Sequence, residues 1–120
     1  MSLNEVLNNE RASRLVRING TAFLMPNPVV ECVDGYEVSI QCQSTSYCTP
    51  RENLLNVAYY TEFELGFPNM SDELLDGYAE SHEDYTDTVY PYVPRSVVEA
   101  LIEKHGGIKT EGKGGELICL

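Results

Sequence analysis

The stretch from Val93 to Gly107 limits what this chain can fold into more than any other. It reads Val-Pro-Arg-Ser-Val-Val-Glu-Ala-Leu-Ile-Glu-Lys-His-Gly-Gly. Pro94 suits the first turn of a helix, where its missing N–H costs nothing and its fixed φ is already helical. Val97, Val98, Leu101 and Ile102 recur at helical spacing and form one apolar stripe. Lys104 and His105 stand in the last turn, where a cation meets the negative end of the helix dipole. Gly106 supplies the left-handed residue that ends a helix, and Ile108 is placed to fold back on the stripe. The spacing predicts a helix over about 94–105. A helix with one dry stripe needs an apolar surface beneath it, and the rest of the chain reads as a sheet that offers one.

Tyr36 to Gln43 is the cleanest strand. Tyr36, Val38, Ile40 and Cys42 alternate with Glu37, Ser39, Gln41 and Gln43, the pattern of a sheet with one dry and one wet face. Val57 to Leu65 alternates in the same way and is expected to pair beside it. Asn19-Gly20 joins the strand-like runs Leu15–Ile18 and Thr21–Met25, and Asp34-Gly35 joins Val29–Val33 to the strand that follows; both dipeptides signal hairpins. Thr88 to Val93 is a third alternating strand, and Pro91 within it points to a sheet edge. Ser2 and Glu5 match a capping box before Leu3, Val6 and Leu7, so residues 1–13 read as a short helical arm, folded on its own domain or on a neighbouring copy. Ser71 is placed as the N-cap of a short helical turn from Asp72 to Tyr78. The expected architecture is a single α+β domain over residues 1–108. It is a mostly antiparallel sheet of four to six strands, covered on one face by the 94–105 helix. Residues 109–120 read as a Gly- and Lys-rich mobile tail whose apolar end, Leu117 to Leu120, would add a strand to an edge.

A chain of 120 residues with 42% apolar content supports one modest core. No apolar run approaches bilayer length, and the first residues lack the basic and apolar regions of a secretory signal. The expected setting is therefore a reducing cytoplasm in which Cys32, Cys42, Cys48 and Cys119 are free thiols. None of them forms a C-x-x-C pair or meets a histidine at zinc spacing, and Cys42 falls among apolar positions as a small core residue.

The net charge is −11. That argues against a protein held on nucleic acid by phosphate contacts. The charge is also uneven. No Lys or Arg lies between Arg51 and Arg95, while Glu52, Glu62, Glu64, Asp72, Glu73, Asp76, Glu80, Glu83, Asp84 and Asp87 do. Such a block creates a one-signed field that steers basic partners.

Three segments carry a resemblance. Ser39-Ile40-Gln41-Cys42 leads to Tyr47-Cys48-Thr49-Pro50-Arg51-Glu52-Asn53. Phe63-Glu64-Leu65-Gly66-Phe67-Pro68 follows. Val89-Tyr90-Pro91-Tyr92-Val93-Pro94 then runs through Val97-Val98-Glu99 to Lys104-His105-Gly106-Gly107. Over roughly residues 36–108 the chain resembles short phage- and prophage-encoded accessory proteins of uncharacterised function. The resemblance implies a phage setting and a host cytoplasm, and it brings no catalytic residues with it.

Four groups of residues are candidates for chemistry. The carboxylates Asp72, Glu73, Asp76, Glu80, Glu83, Asp84 and Asp87, interleaved with tyrosines, would form a face for a basic host or phage protein; in its sharper form they would stand in for the phosphates of a nucleic acid. Tyr47 and Arg51, on the loop after the clean strand, would instead bind a small anionic ligand or nucleotide, with the Pro91–Pro94 region completing a pocket. Cys48 as a nucleophile needs a base, and neither His82 nor His105 is placed beside it by the sequence. The segment Glu80 to Asp87 lacks the spacing of a calcium loop, so no metal and no cofactor are expected. The expected function is non-enzymatic partner binding, with a homodimer through the sheet edges as a further expectation and no membrane contact.

Overall fold

The computed structural model describes residues 1–109, and it is an α+β fold. The elements in order are α1 (Leu3–Asn8), β1 (Leu15–Ile18), β2 (Thr21–Leu24), β3 (Val30–Glu31), β4 (Glu37–Gln41), β5 (Glu62–Gly66), α2 (Glu73–Asp76), β6 (Val89–Pro94) and α3 (Arg95–Lys104). β1 and β2 form a separate two-stranded sheet. The other four strands form an antiparallel sheet in the order β3-β4-β5-β6. The expected antiparallel sheet is thus four-stranded, with the first hairpin standing apart as a sheet of its own. The strand with Pro91 lies at an edge, as its missing N–H requires. The anticipated edge strand at Leu117 to Leu120 lies outside the described residues.

Both hairpin signals produce their turns. Asn19 and Gly20 adopt φ of 52° and 81°, the double left-handed conformation of a two-residue hairpin loop, and Ile18 pairs directly with Thr21. Gly35 closes the β3–β4 turn with its N–H on the Cys32 carbonyl. The capping box is complete: Glu5 N–H donates to Ser2 Oγ, and Ser2 N–H to Glu5 Oε1. Leu3 and Leu7 enter the main core, so the N-terminal arm folds on its own domain.

The dry face of the large sheet is built by Val30, Val38, Ile40, Phe63, Leu65, Tyr90 and Val93, all buried. Val98, Leu101 and Ile102 of α3 join the same core, which is the packing their spacing implies. Val57 to Tyr59 departs from expectation. It is a 3₁₀ turn capped by the Asn56 side chain, and the strand begins only at Glu62. Val57, Tyr60 and Phe63 are buried while Tyr59 is 70% exposed. Val57 and Tyr60 stand three apart across the 3₁₀ turn and Phe63 belongs to β5, a combination that reads as alternation over so short a run. The short helix α2 is capped by Asp72 rather than Ser71.

Gly106 has φ of +90°, and a Cβ there would stand 3.2 Å from Val33 Cβ. The residue thus serves both the helix end and the close approach of the β3–β4 turn. Beyond it Ile108 bridges to Cys32, and Lys109 donates its N–H to the Glu31 carbonyl, so residues 106–109 run back along the exposed edge of β3.

Candidate functional site

The expected acidic face divides when folded. Asp72 turns inward: its carboxylate caps α2 at Leu74 N–H (2.9 Å), pairs with Lys104 Nζ (3.0 Å) and meets His105 Nε2 (2.7 Å). It is therefore not available to a partner, a correction to its assignment as a surface contact. Asp76 is half-buried and Glu73 exposed. Glu80, Glu83, Asp84 and Asp87 all reach solvent, and none forms an ion pair among the described residues.

The loop that carries these four carboxylates is ordered by its own polar groups. Glu80 N–H donates to Val89 O, and Ser81 N–H to Thr88 Oγ1. Asp84 accepts from both the hydroxyl (2.7 Å) and the N–H (2.9 Å) of Thr86, and those two bonds hold its carboxyl below the usual range. Tyr90, rooted in the core, donates its hydroxyl to Tyr85 O. His82 Nδ1 lies 3.1 Å from the Tyr85 hydroxyl, with the two rings edge to face. The result is a charged loop pinned at both ends and in its middle.

A second exposed group forms around Tyr47. Arg51 stacks over the Tyr47 ring at 5.2 Å, and Tyr92 lies tilted against it with ring centroids 5.9 Å apart. β6 carries one residue more than β5 between the pairs Phe63–Val93 and Leu65–Tyr90, a bulge that places Tyr92 at φ +54°. That left-handed geometry turns its N–H to the Tyr47 carbonyl (3.0 Å) and its ring outward. Thr49 and Tyr47 are tied to Glu62 and Glu64 beneath. The two regions paired in the ligand reading are thus neighbours. Three clefts, of 320, 480 and 410 Å³, lie elsewhere: under the first hairpin, between the N-terminus and α3, and between α1 and β3. Tyr47 and Arg51 line none of the three.

Among the described residues the thiols of Cys32, Cys42 and Cys48 are enclosed. Cys48 is 1% exposed and donates towards the carbonyls of Gln43 and Pro50, and burial pushes it up to about 11. His82 is engaged with Tyr85. A buried thiol held neutral in this way is a poor nucleophile. No group of three or more His, Cys, Asp or Glu among the described residues has the geometry to hold a metal ion, and none of the described helices is long and apolar enough to cross a membrane.

Two arrangements escaped the sequence reading. Arg11, 1% exposed, sends its guanidinium to Leu54 O (2.8 Å), Asn27 Oδ1 (2.9 Å), Cys42 O (2.5 Å) and Tyr60 Oη (3.2 Å). Arg95, at the start of α3, is half-buried over the Phe63 ring and donates to Tyr60 O, Val57 O and Asn4 Oδ1. The other arrangement is His105, expected only as a helix-end cation. It lies between Asp34 Oδ2 and Asp72 Oδ2, each 2.7 Å away, and its ring stacks on Tyr36 with centroids 4.0 Å apart.

No family model matches the chain, and neither does any curated protein or solved structure.

Proposed function

We propose that this chain is a non-enzymatic interaction module that binds a basic host or phage protein through the carboxylates of the loop between α2 and β6. One observation carries the reading: Glu80, Glu83, Asp84 and Asp87 are exposed and without ion pairs among the described residues, on a loop held in one shape by Thr86, Thr88 and Tyr90. A pre-shaped, one-signed surface attracts a partner of opposite sign and loses little entropy on binding it. Exposed charge alone would also keep the protein soluble; an ordered loop adds a fixed pattern that a partner can read. Nucleic-acid mimicry is the finer form of this proposal, with the four carboxylates in place of phosphates.

The test is affinity capture of the protein from host cells, with the eluate resolved by rising salt. The expected outcome is a basic protein released by moderate salt, and released also by duplex DNA if mimicry holds. Replacing Glu80, Glu83, Asp84 and Asp87 together by Ser removes that protein from the eluate. A complex that survives the replacement rejects the loop as the contact.

A second reading, small-anion binding, has its own observation: the exposed Arg51 guanidinium makes no ion pair among the described residues and is fixed on Tyr47. It predicts a rise in melting temperature with inorganic phosphate or a nucleotide that is lost in Arg51→Ala.

A further inference from the structure

His105 makes two contacts that a neutral ring cannot make together. A neutral imidazole has one N–H and one lone pair. Both ring nitrogens here face carboxylate oxygens at 2.7 Å, Nδ1 towards Asp34 and Nε2 towards Asp72. Both nitrogens must donate, so the ring is an imidazolium. On losing its proton, one lone pair would point at a carboxylate across the same short distance.

The two carboxylates are not equally free to leave. The Asp72 side chain is 3% exposed and also held by Lys104 and by the Leu74 N–H. The Asp34 side chain is 50% exposed, and water can replace the ring. Asp34 therefore gives way first. It stands at the head of a zipper: Asp34 N–H on His105 O, Val33 N–H on Gly107 O, the Cys32–Ile108 bridge, and Lys109 N–H on Glu31 O. Gly106 and Gly107, with φ of +90° and +91°, offer a pivot where the chain turns from α3 into that zipper.

We propose that His105 is a proton-controlled clasp. Protonated, it ties the β3–β4 turn to the start of α2 and holds residues 106–109 along the edge of β3. Deprotonated, it releases Asp34 and lets that segment leave the edge of β3.

The other titratable groups around the ring support this assignment. Burial works against the charged ring, but the hydrogen bonds and charges of Asp34 and Asp72 outweigh it and raise its pKa above the ordinary 6.5. On Asp72 burial is likewise outweighed, by Leu74 N–H, His105 and Lys104, and its pKa falls; Asp34 is lowered by the Tyr36 N–H and by His105. Lys104 and Glu73 face the Asp72 side of the ring and pair with each other at 4.0 Å. Burial pushes the Tyr36 phenol far above its usual value and the Cys32 thiol up to about 11, so both stay neutral while the ring titrates. The sign follows. A histidine raised in the fold stabilises it fully below its unfolded pKa of about 6.5, and that stabilisation is lost as pH rises through the higher folded value. The clasp opens on the alkaline side.

The test joins two measurements on the intact chain between pH 6 and 9. Ring chemical shifts of His105 report its protonation. Hydrogen exchange, corrected for the intrinsic effect of pH, reports the zipper through the Val33 and Lys109 amides, with the Phe67 amide on Thr88 O as reference. The expected result is that His105 titrates above 6.5, and that Val33 and Lys109 lose about tenfold more protection than Phe67 over the same range. In His105→Gln their protection is low throughout and does not follow pH. Asp34→Asn, at a half-exposed position, gives the same uncoupling should the first variant not fold. A ring that titrates below 6.5, or one that titrates while Val33 and Lys109 keep pace with Phe67, overturns the proposal.

Discussion

The interior near Arg11 and the loop from Glu80 to Asp87 treat charge in opposite ways. Arg11 inside, and the half-buried Arg14 and Arg95, spend most of their donors on carbonyl and amide oxygens: Leu54, Cys42 and Asn27 for Arg11, Leu7, Asn9 and Asn27 for Arg14, Val57, Tyr60 and Asn4 for Arg95, which also meets Glu99 at 3.7 Å. Outside, Glu80, Glu83, Asp84 and Asp87 have no cation partner among the described residues. The chain could have neutralised one set with the other and does not. Two of its eight basic residues, Arg11 and Arg95, serve as cross-braces between segments distant in sequence, while Arg14 ties its own neighbourhood together through Leu7, Asn9 and Asn27. The interior guanidiniums hold the fold, and the exterior carboxylates do little for it. Each half of that contrast can be broken separately.

The largest effect is expected inside. Arg11→Met takes the Arg11 donors from the buried Cys42 carbonyl and the part-buried Leu54 carbonyl, and leaves Asn27 Oδ1 with Arg14 alone. A buried acceptor left without its donor costs about 1–3 kcal/mol, and more than one is stranded here, so the loss should exceed that of a single contact, read as a lower urea midpoint at unchanged slope. Arg11→Lys restores the charge but not the fork, since one ammonium cannot span acceptors that come from three segments. It should recover little of the loss. A lysine variant near wild-type stability would mean that the charge matters there and the cross-bracing does not.

Arg95→Ala comes next, at about 1–3 kcal/mol. The side chain is half-buried, so water reaches some of the acceptors it leaves, and the loss is smaller than at Arg11. Its effect should be largely lost in a background where Asn4 is already alanine if the bond to Asn4 (2.7 Å) is what joins α1 to α3. Additive losses in the double variant would place the bracing on Tyr60 and Val57 alone.

What was legible beforehand follows the range over which each cue acts. The capping box, Asn19-Gly20 and the Tyr36–Cys42 alternation are decided within four to eight residues, and each appears as read. Val57 to Tyr60 failed because apolar residues three apart and two apart share positions over so short a run, and Asn56 capped a turn in place of a strand. Arg11 gave no local sign: its acceptors lie 16 to 49 residues away, and nothing in Glu-Arg-Ala-Ser marks a buried cation. His105 had a sufficient local account as a helix-end cation, which hid the partners 33 and 71 residues distant. Of the expected acidic face, Asp72 could have been set apart by one signal. It precedes Glu73-Leu74-Leu75, where an aspartate caps as well as a serine does.

The smallest expected effect is at the other pole. Replacing Glu80, Glu83, Asp84 and Asp87 by Ser takes the net charge from −11 to −7 and should change stability by no more than about 0.5 kcal/mol. Two small terms oppose each other. Loss of Asp84 weakens the two bonds to Thr86, though a serine hydroxyl can still accept one of them. Loss of mutual repulsion among four like charges on one loop works the other way, and it fades in high salt. The Tyr90–Tyr85 and Ser81–Thr88 bonds remain to hold the loop in shape. Urea unfolding at low and high salt measures both terms. A near-zero change at both would leave the four carboxylates without a structural task, as the partner-binding reading requires of them. A loss comparable to that of Arg95→Ala would instead make the loop a brace like the interior, and the contrast between the two regions would collapse.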